Sequence, residues 1–254
     1  MRLRTRYLLF AIIVALVTVL TSLCITSKNE YPSNEKAVFA ALTNRTNGPV
    51  AYLEGREKLR LIGTNALPVL IEMLTAEDSA ITKAKMKFNR AGVRIGGFVP
   101  ASARRQHALR GFRLLGPIAA PAIPVLTNMI ERGEAVDSAM NALSSIGDEA
   151  QPALERLLQH RDAKIRQRAL YAIGQSIPHE TFLTRVCLSS LDDPDPGVRI
   201  TALDSFPVIS RTPSNTLTRI SRCFSDTNAR VRLYATNLVS LIEKFERMYP
   251  PRNE

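Results

Sequence analysis

Three short stretches of the chain carry side chains of the kind that pair charges or bind anions. They read DAKIR, DPGVR and NARVR, and each begins 33 residues after the one before. Their polar positions are Asp162, Arg166, Asp195, Arg199, Asn228 and Arg232. An Asp or Asn before a helix accepts a hydrogen bond from a free backbone N–H. The pattern therefore predicts a structural row of helix caps, with a row of ligand-binding arginines as the alternative.

The residues that follow each motif have the spacing of an amphipathic helix. Apolar side chains recur every three or four positions, which places them on one helix face. In the three copies they are Ile165, Ala169, Leu170 and Ile173; Val198, Ala202, Leu203 and Phe206; and Val231, Ala235 and Leu238 with Val239. LTRV at 183–186 returns as LTRI at 217–220, after the turn residues Pro178 and Pro213. We therefore expect two helices in every repeat.

Earlier in the chain, glycines and prolines mark the same two helices. Four glycines follow apolar helical runs, where glycine ends a helix in the left-handed conformation without Cβ strain. They are Gly63, Gly116, Gly147 and Gly174. Pro68 and Pro152 stand five residues after their glycines, in the first turn of a helix, where proline is tolerated. The first interval between glycines is 53 residues and the later ones are 31 and 27, so about 22 residues are inserted in the first.

A helix pair of this length cannot bury its apolar face alone, so successive pairs must stack. In this pattern the chain resembles HEAT repeats, in particular the short type found in phycobilin-lyase-like proteins, over residues 50–246. The resemblance implies an all-α fold, a right-handed α-solenoid of about six HEAT-like helix pairs. It also implies that the Asp and Arg of each first helix hydrogen-bond between successive repeats. The ladder would then consist of Asp162, Asp195 and the three arginines, with Asn228 keeping the cap but not the charge.

The inserted segment, at about 76–106, is strongly basic. Residues 79–130 contain nine Lys or Arg and no Asp or Glu, whereas the rest of the folded part is nearly neutral. We expect a helix capped by Thr75 with Asp78 and ended by Gly92, followed by a loop, RIGGFVPASARR. The helix carries an apolar stripe at Ile81, Ala84, Phe88 and Ala91. The candidate contacts for an anionic partner are Lys83, Lys87, Arg90, Arg94, Arg104 and Arg105. A third helix packed on the repeats, with solvated lysines, is the alternative.

The amino terminus predicts a membrane segment. Between Arg6 and Lys28 lie 21 residues without a charge, enough to cross about 30 Å of hydrocarbon as a helix. Three arginines before them predict a cytoplasmic amino end and an exported remainder. The cleavage signals at Ser22 and Cys24 are weak, so we expect an uncleaved anchor at 1–27. A secreted form after cleavage and a lipoprotein on Cys24 are the alternatives.

The remaining boundaries follow from these features. Residues 28–48 are expected to form a linker with a short helix, 49–248 the repeat domain, and 249–254 a tail. Cys187 and Cys223 lie in helical, apolar stretches, so we expect two buried thiols and no disulfide, although an exported compartment would permit one.

Residues suited to catalysis or to a cofactor are scarce. His107, His160 and His179 have no zinc-ligand spacing, and DDPDPG at 192–197 lacks the glutamate that a calcium loop requires. We therefore expect a protein that is not an enzyme and has no cofactor or metal. The predicted function is a membrane-held scaffold that binds protein partners, with an acidic protein as a candidate for the insertion. Export and few aromatics disfavour nucleic acid. A nucleic-acid-binding solenoid and a bilin or haem lyase-like protein remain alternatives.

Overall fold

The structure, a computed structural model, is described for most of the chain after residue 48. The described residues are 37–38, 42, 49–92, 96, 98–176, 180–207 and 214–248. Every regular element in them is helical, which confirms the all-α class. They fall into two compact units, Met1–Gly111 and Phe112–Glu254. The predicted anchor, most of the linker, the tail, Arg94, Pro178, His179 and Pro213 lie outside the described residues.

The first unit begins with a helix pair and continues into the insertion. Its elements are α1 (Pro49–Ile62), a 3-10 turn (Gly63–Ala66), α2 (Leu67–Leu74), α3 (Ala80–Arg90) and α4 (Ala101–Leu115), whose last turn belongs to the second unit. Pro68 stands in the first turn of α2, as predicted. Leu59, Leu70 and Leu74 have no exposed surface and form the centre of this unit.

The second unit is a series of repeated helix pairs. Its elements are a 3-10 segment (Gly116–Ala122), α5 (Ile123–Glu131), α6 (Val136–Ile146), a 3-10 turn (Asp148–Ala150), α7 (Gln151–Leu157), α8 (Ala163–Ser176), α9 (Glu180–Ser190), α10 (Pro196–Asp204), α11 (Ser214–Arg222), a 3-10 turn (Cys223–Ser225) and α12 (Ala229–Met248). The pairs are α6 with α7, α8 with α9 and α10 with α11. No second helix follows α12 among the described residues, so the predicted count of six pairs is not confirmed.

The packing of this unit repeats with the 33-residue period. The first helices α6, α8, α10 and α12 lie side by side, and α7, α9 and α11 each contact the first helix that follows them. Two sets of buried core residues occupy equivalent positions: Ile165, Val198 and Val231, and Ala169, Ala202 and Ala235. The β-branched residue of each motif is therefore a core residue, and the small alanine lets neighbouring helices approach closely.

The glycines at the repeat junctions have two different roles. Gly63, Gly116 and Gly147 have φ angles of 59°, 54° and 98°, which L side chains rarely adopt, so the prediction of helix-ending glycines is confirmed there. Gly174 lies inside α8 and the prediction is wrong for it. A Cβ at Gly174 would stand 3.1 Å from the Cβ of Ser205 at the end of α10. Residue 174 is a glycine because the end of a neighbouring helix leaves little room for a Cβ.

The insertion forms the predicted helix with different caps. The cap of α3 is Ser79, whose Oγ accepts a hydrogen bond from the N–H of Thr82 at 3.1 Å. Thr75 and Asp78 do not cap α3: Thr75 donates to the carbonyl of Glu72. The helix ends at a turn through Gly92, with a φ of 90°, as predicted. The expected loop stops earlier than predicted, because α4 already begins at Ala101.

Candidate interaction surfaces

The three motif residues before the helices act as caps. The Asp195 carboxylate accepts hydrogen bonds from the N–H groups of Gly197 (2.8 Å) and Val198 (3.2 Å). Asp162 accepts one from Lys164 at 2.8 Å, and Asn228 accepts two, from the second and third residues after it. The predicted capping role is therefore confirmed for Asp162, Asp195 and Asn228, and it uses the Oδ1 of each side chain.

The predicted ladder exists, but its carboxylates are not the ones predicted. Arg166 forms two hydrogen bonds with Asp193, at 2.8 and 2.7 Å, and does not pair with Asp195. Arg199 joins Asp226 in the same way, with both distances at 2.8 Å. The four side chains are only 11–12% exposed. Asp193 and Asp226 are 33 residues apart, each two positions before a cap, and this spacing is the sequence signal that could have identified them.

Each arginine also binds the loop that precedes its own helix. Nη1 of Arg199 donates to the carbonyls of Asp193 (2.7 Å) and Pro194 (3.1 Å). Arg166 and Arg232 make the equivalent pair of bonds, six and five residues back. The ladder arginines Arg166 and Arg199 thus donate from all three of their nitrogens, and these bonds disfavour the alternative in which the row binds a ligand.

The electrostatics of the ladder favour the charged forms. The hydrogen bonds from Arg199 hold the pKa of Asp226 below its ordinary value, with a further contribution from the N–H of Asn228. Burial alone would raise the pKa of Asp193, but the bonds from Arg166 and from the N–H of Asp195 outweigh it, so this pKa is also lowered. Both carboxylates are therefore ionised at neutral pH, as a ladder of ion pairs requires.

The ladder changes character at its two ends. His160 occupies the position equivalent to Asp193, and its Nδ1 accepts the N–H of Asp162 at 3.0 Å, as Asp193 accepts that of Asp195 at 2.8 Å. The imidazole thus accepts the same backbone hydrogen bond as Asp193, but it does not provide a carboxylate for an arginine. Arg232 is exposed and has no carboxylate partner among the described residues.

A cleft of about 420 Å³ opens beside the first rung of the ladder. It lies between the loop after α7 and the end of α9, and both of these segments are in the second unit. Its lining residues are Leu158, Gln159, His160, Arg161, Arg166, Ser189, Ser190, Asp192, Asp193 and Pro194. Both signs of charge are present at its walls, and the Arg166–Asp193 pair forms part of its surface.

A second row of ion pairs joins the second helices. Arg185 donates to Glu155 at 3.2 Å, and its guanidinium lies 5.1 Å from the ring centre of Phe182. Arg219 binds Asp192 and the carbonyl of Leu188. These pairs are more exposed than the ladder, so each contributes less to stability. These two arginines stand in LTRV and LTRI, and the sequence pattern alone indicated no role for them.

The candidate anion-binding residues of the insertion separate into two groups. Arg104 donates to the carbonyl of Glu77 at 3.0 Å and Arg105 to that of Ala76 at 2.7 Å. Each of these two arginines thus uses one Nη for the fold while its side chain stays partly exposed, and its assignment to an anionic partner stays a prediction. Lys83, Lys87 and Arg90 are exposed on α3, where the prediction stays open. Arg94 lies outside the described residues.

The predicted apolar stripe of α3 does not face the core. Ile81 is 50% exposed and Phe88 is 39% exposed, and Ala84 and Ala91 are exposed as well. The buried residue of this helix is Lys85, at 3%. Periodicity identified the stripe but did not show which way it faces.

Thiols, histidines and metal sites add no further candidate. Cys187 and Cys223 are buried and free, and burial raises the pKa of Cys187 to about 12, so it is not a reactive thiolate. Burial and the charge of Arg110 lower the pKa of His107. Within the described part of the chain, no three His, Cys, Asp or Glu side chains come together as a metal site.

One helical run of the described residues, Ala101–Glu131, is long and apolar enough to cross a membrane by length and composition. It is not a single α-helix, since the 3-10 segment with Pro117 and Pro121 separates α4 from α5. Phe112 and Leu126 within it are fully buried. These features are those of a core element.

Comparison with known proteins gives similarity at the level of architecture. No model of a known family and no curated protein matches the chain. An archaeal HEAT-like repeats protein from Thermococcus onnurineus NA1 is 15% identical, with 90% of this chain and 93% of that chain covered and a TM-score of 0.41. A designed armadillo repeat protein in complex with the peptide (KR)4 is 13% identical, with 83% and 100% covered and a TM-score of 0.36. An engineered protein is 18% identical, with 85% and 98% covered and a TM-score of 0.34. Because these TM-scores are below 0.5, the repeat architecture rests on the contacts within this chain.

Proposed function

We propose that this chain is a membrane-anchored helical-repeat scaffold of the short HEAT type, which binds a protein partner and catalyses no reaction. The observation that carries the proposal is the cleft beside the first rung of the ladder. Successive first helices are joined by nearly buried, two-bond ion pairs, so the repeats present a fixed surface. A preformed surface loses little conformational freedom on binding, and stacked helical repeats form extended binding surfaces.

The chemistry of the cleft favours a peptide segment over a free anion. Arg166 already donates four hydrogen bonds, two to Asp193 and two to backbone carbonyls. The exposed rim residues Arg161 and Asp192 carry opposite charges. A polypeptide offers N–H donors, carbonyl acceptors and side chains of either charge, and can therefore pair with both the basic and the acidic residues of the cleft. The membrane part of the proposal is supported by the 21 uncharged residues after Arg6, with the repeats on the extracytoplasmic side.

The experiment is site-specific photo-crosslinking in native membranes. A benzoylphenylalanine at Ser189, an exposed residue at the cleft, is compared with one at Leu233, which is 56% exposed on α12. We expect a defined protein to crosslink from position 189 and not from 233. The protein is then identified by mass spectrometry and purified for a direct binding measurement.

The binding measurement uses a variant that fills the cleft. Ser189→Trp places a large side chain at the rim and removes only a hydrogen bond to the carbonyl of Val186. We expect the purified partner to bind this variant at least tenfold more weakly than the parent, while the circular dichroism and melting temperature stay the same. Equal affinity for both proteins would refute the cleft as the binding site.

A further inference from the structure

Helix α3 presents an apolar stripe to solvent. Ile81 and Phe88 are 50% and 39% exposed, and Ala84 between them is exposed too. With about 100° of rotation per residue, these three positions lie within roughly 60° of the helix circumference. Large apolar side chains normally lie inside a protein, and a contiguous exposed set marks an interaction surface. Something other than the core of the first unit is therefore expected to cover this stripe.

A strip of positive charge runs beside the apolar stripe. Lys83, Lys87 and Arg90 occupy another sector of roughly 60° on the same exposed half of the helix, and all three are exposed. None of them forms an ion pair with a described residue. The apolar and cationic strips together are the pattern of a helix that lies flat at a membrane surface, with its apolar side among the acyl chains and its cations at the headgroups.

The ends of the insertion hold α3 in place. The carboxylate of Asp78 accepts the N–H of Ala101 at 2.6 Å, which joins the residue before the cap of α3 to the first residue of α4. Arg104 and Arg105 donate to the carbonyls of Glu77 and Ala76. Three bonds thus close the base of the insertion, so the orientation of α3 in the first unit is set by the fold and not by a free loop.

We propose that the exposed face of α3 binds the headgroup layer of an anionic phospholipid membrane. The apolar stripe decides between lipid and an acidic protein, because carboxylates alone would neutralise Lys83, Lys87 and Arg90 but leave Ile81 and Phe88 in water. A bilayer surface offers anionic phosphates and hydrocarbon a few ångströms apart. The inference extends the proposed scaffold by a second membrane contact, yet it depends on neither the amino-terminal anchor nor the cleft.

The test uses the absence of tryptophan from the sequence. Phe88→Trp in the full-length chain gives a single fluorophore on the proposed face, and Tyr171→Trp gives a control on α8, where Tyr171 is 52% exposed. Both are reconstituted in vesicles of phosphatidylcholine alone and of phosphatidylcholine with phosphatidylglycerol. The predicted anchor acts equally on both chains and both vesicles, so a difference at position 88 reports contact by α3 itself.

We expect the emission of Phe88→Trp to move to shorter wavelength, and its quenching by acrylamide to fall several-fold, on the anionic vesicles only. Both changes should disappear when Lys83→Gln, Lys87→Gln and Arg90→Gln are combined with the reporter. They should also weaken at about 1 M salt, where charges are screened within about 3 Å. Tyr171→Trp should respond to neither vesicle.

Three results would overturn the proposal. The first is no response of Phe88→Trp, repeated with Ile81→Trp, in a chain with unchanged circular dichroism. The second is a response that depends on protein concentration without lipid, which would assign the stripe to a second copy of the chain. The third is a response to an acidic polypeptide and not to anionic vesicles. Equal partner binding by the parent and Ser189→Trp would refute the cleft, and with normal lipid contact it would leave this inference intact.

Discussion

At the scale of residues, two positions in each repeat, two residues apart, have different roles. The residue directly before the helix caps it, and the residue two positions earlier forms the ion pair with the arginine of the preceding repeat. A nearly buried pair contributes little net stability, because desolvation offsets the attraction, but removal of one partner leaves an unpaired charge. We therefore expect the ladder to act mainly on register, because these charges would lack partners in any other stacking of the helices.

Removal of a central arginine tests this role. Arg199→Ala should lower the free energy of unfolding by roughly 1–3 kcal/mol, because Asp226 loses both of its bonds to Arg199 while only 12% exposed. A double-mutant cycle with Asp226→Ala should give a coupling of roughly 1–2 kcal/mol. Arg232→Ala should cost less, since Arg232 is exposed and donates only to the carbonyls of Asp226 and Thr227. Equal losses at Arg199 and Arg232, measured by urea denaturation, would contradict the ladder.

The lowered pKa of Asp226 predicts how this stability depends on pH. A carboxyl whose pKa is lower in the folded state stabilises the fold above its unfolded value of about 3.9, and this contribution is lost as the pH falls through the folded pKa. Asp226→Asn should therefore be less stable than the parent at pH 6, and the difference should shrink below about pH 4. Urea denaturation from pH 6 to pH 2 measures it. A difference that stays constant over this range would show that the Asp226 charge contributes nothing.

The sequence predicted the caps and the arginines of the ladder but not its carboxylates. Asp162, Asp195 and Asn228 were identified because a cap is local: it depends only on the residues that follow it. The partner of Arg166 lies 27 residues away, and the motif offers two acidic candidates two positions apart. Only the packing of α8 against α10 decides between Asp193 and Asp195, so the choice required the tertiary structure.

At the scale of elements, glycine has two structural roles that the sequence alone does not distinguish: it ends a helix, or it allows a neighbouring helix to pack closely. Gly147 and Gly174 both follow an apolar helical run, and both were predicted to end a helix. Gly147 does so with a positive φ, whereas the chain continues as a helix through Gly174. The two glycines differ in their neighbours. Ser205 packs against Gly174, and the position of Ser205 depends on how the next repeat packs.

Gly174→Ala tests that close approach. In a helix interior this change normally stabilises by about 1 kcal/mol, because alanine has the higher helix propensity. Here the new Cβ would meet the Cβ and Oγ of Ser205 at 3.1 and 3.2 Å, so we expect no gain, or a loss, in thermal unfolding. Ser205→Gly in the same chain should recover the gain. A full stabilisation by Gly174→Ala alone would mean that α8 and α10 separate easily.

Helix α3 shows where amphipathic periodicity is misleading. An apolar stripe such as Ile81, Ala84 and Phe88 usually marks the face of a helix that packs on the core. The three bonds at the base of the insertion orient the helix otherwise, and they involve Asp78, Arg104 and Arg105, residues that carry no periodic signal. Periodicity gives the width of a face, and the attachments at the helix ends decide where that face points.

At the scale of the whole molecule, the 33-residue period was predicted correctly because the repeated motif occurs directly in the sequence. The basic segment was harder to interpret, since nine cations without an acid suggested free charge. Arg104, Arg105 and Arg110 each donate to a backbone carbonyl, and a carbonyl acceptor leaves no trace in amino-acid composition. Net charge therefore did not show that these three arginines also form hydrogen bonds within the fold.

Membrane attachment is the remaining prediction at this scale. The 21 uncharged residues between Arg6 and Lys28 are long enough to span the bilayer, and the three preceding arginines favour a cytoplasmic amino end. The full chain should therefore stay in the membrane fraction after washing with high salt or carbonate, and protease added from the extracytoplasmic side should degrade the repeats. High salt also separates this anchor from the contact proposed for α3, because screening weakens bound cations but not a span of hydrocarbon. Glu substitutions at Leu16 and Val19 put two charges into the span and should release the protein, or block its export, whereas the triple glutamine variant of α3 should remain anchored. A soluble protein whose amino terminus begins near Ile25 would instead show a cleaved signal peptide and a secreted domain.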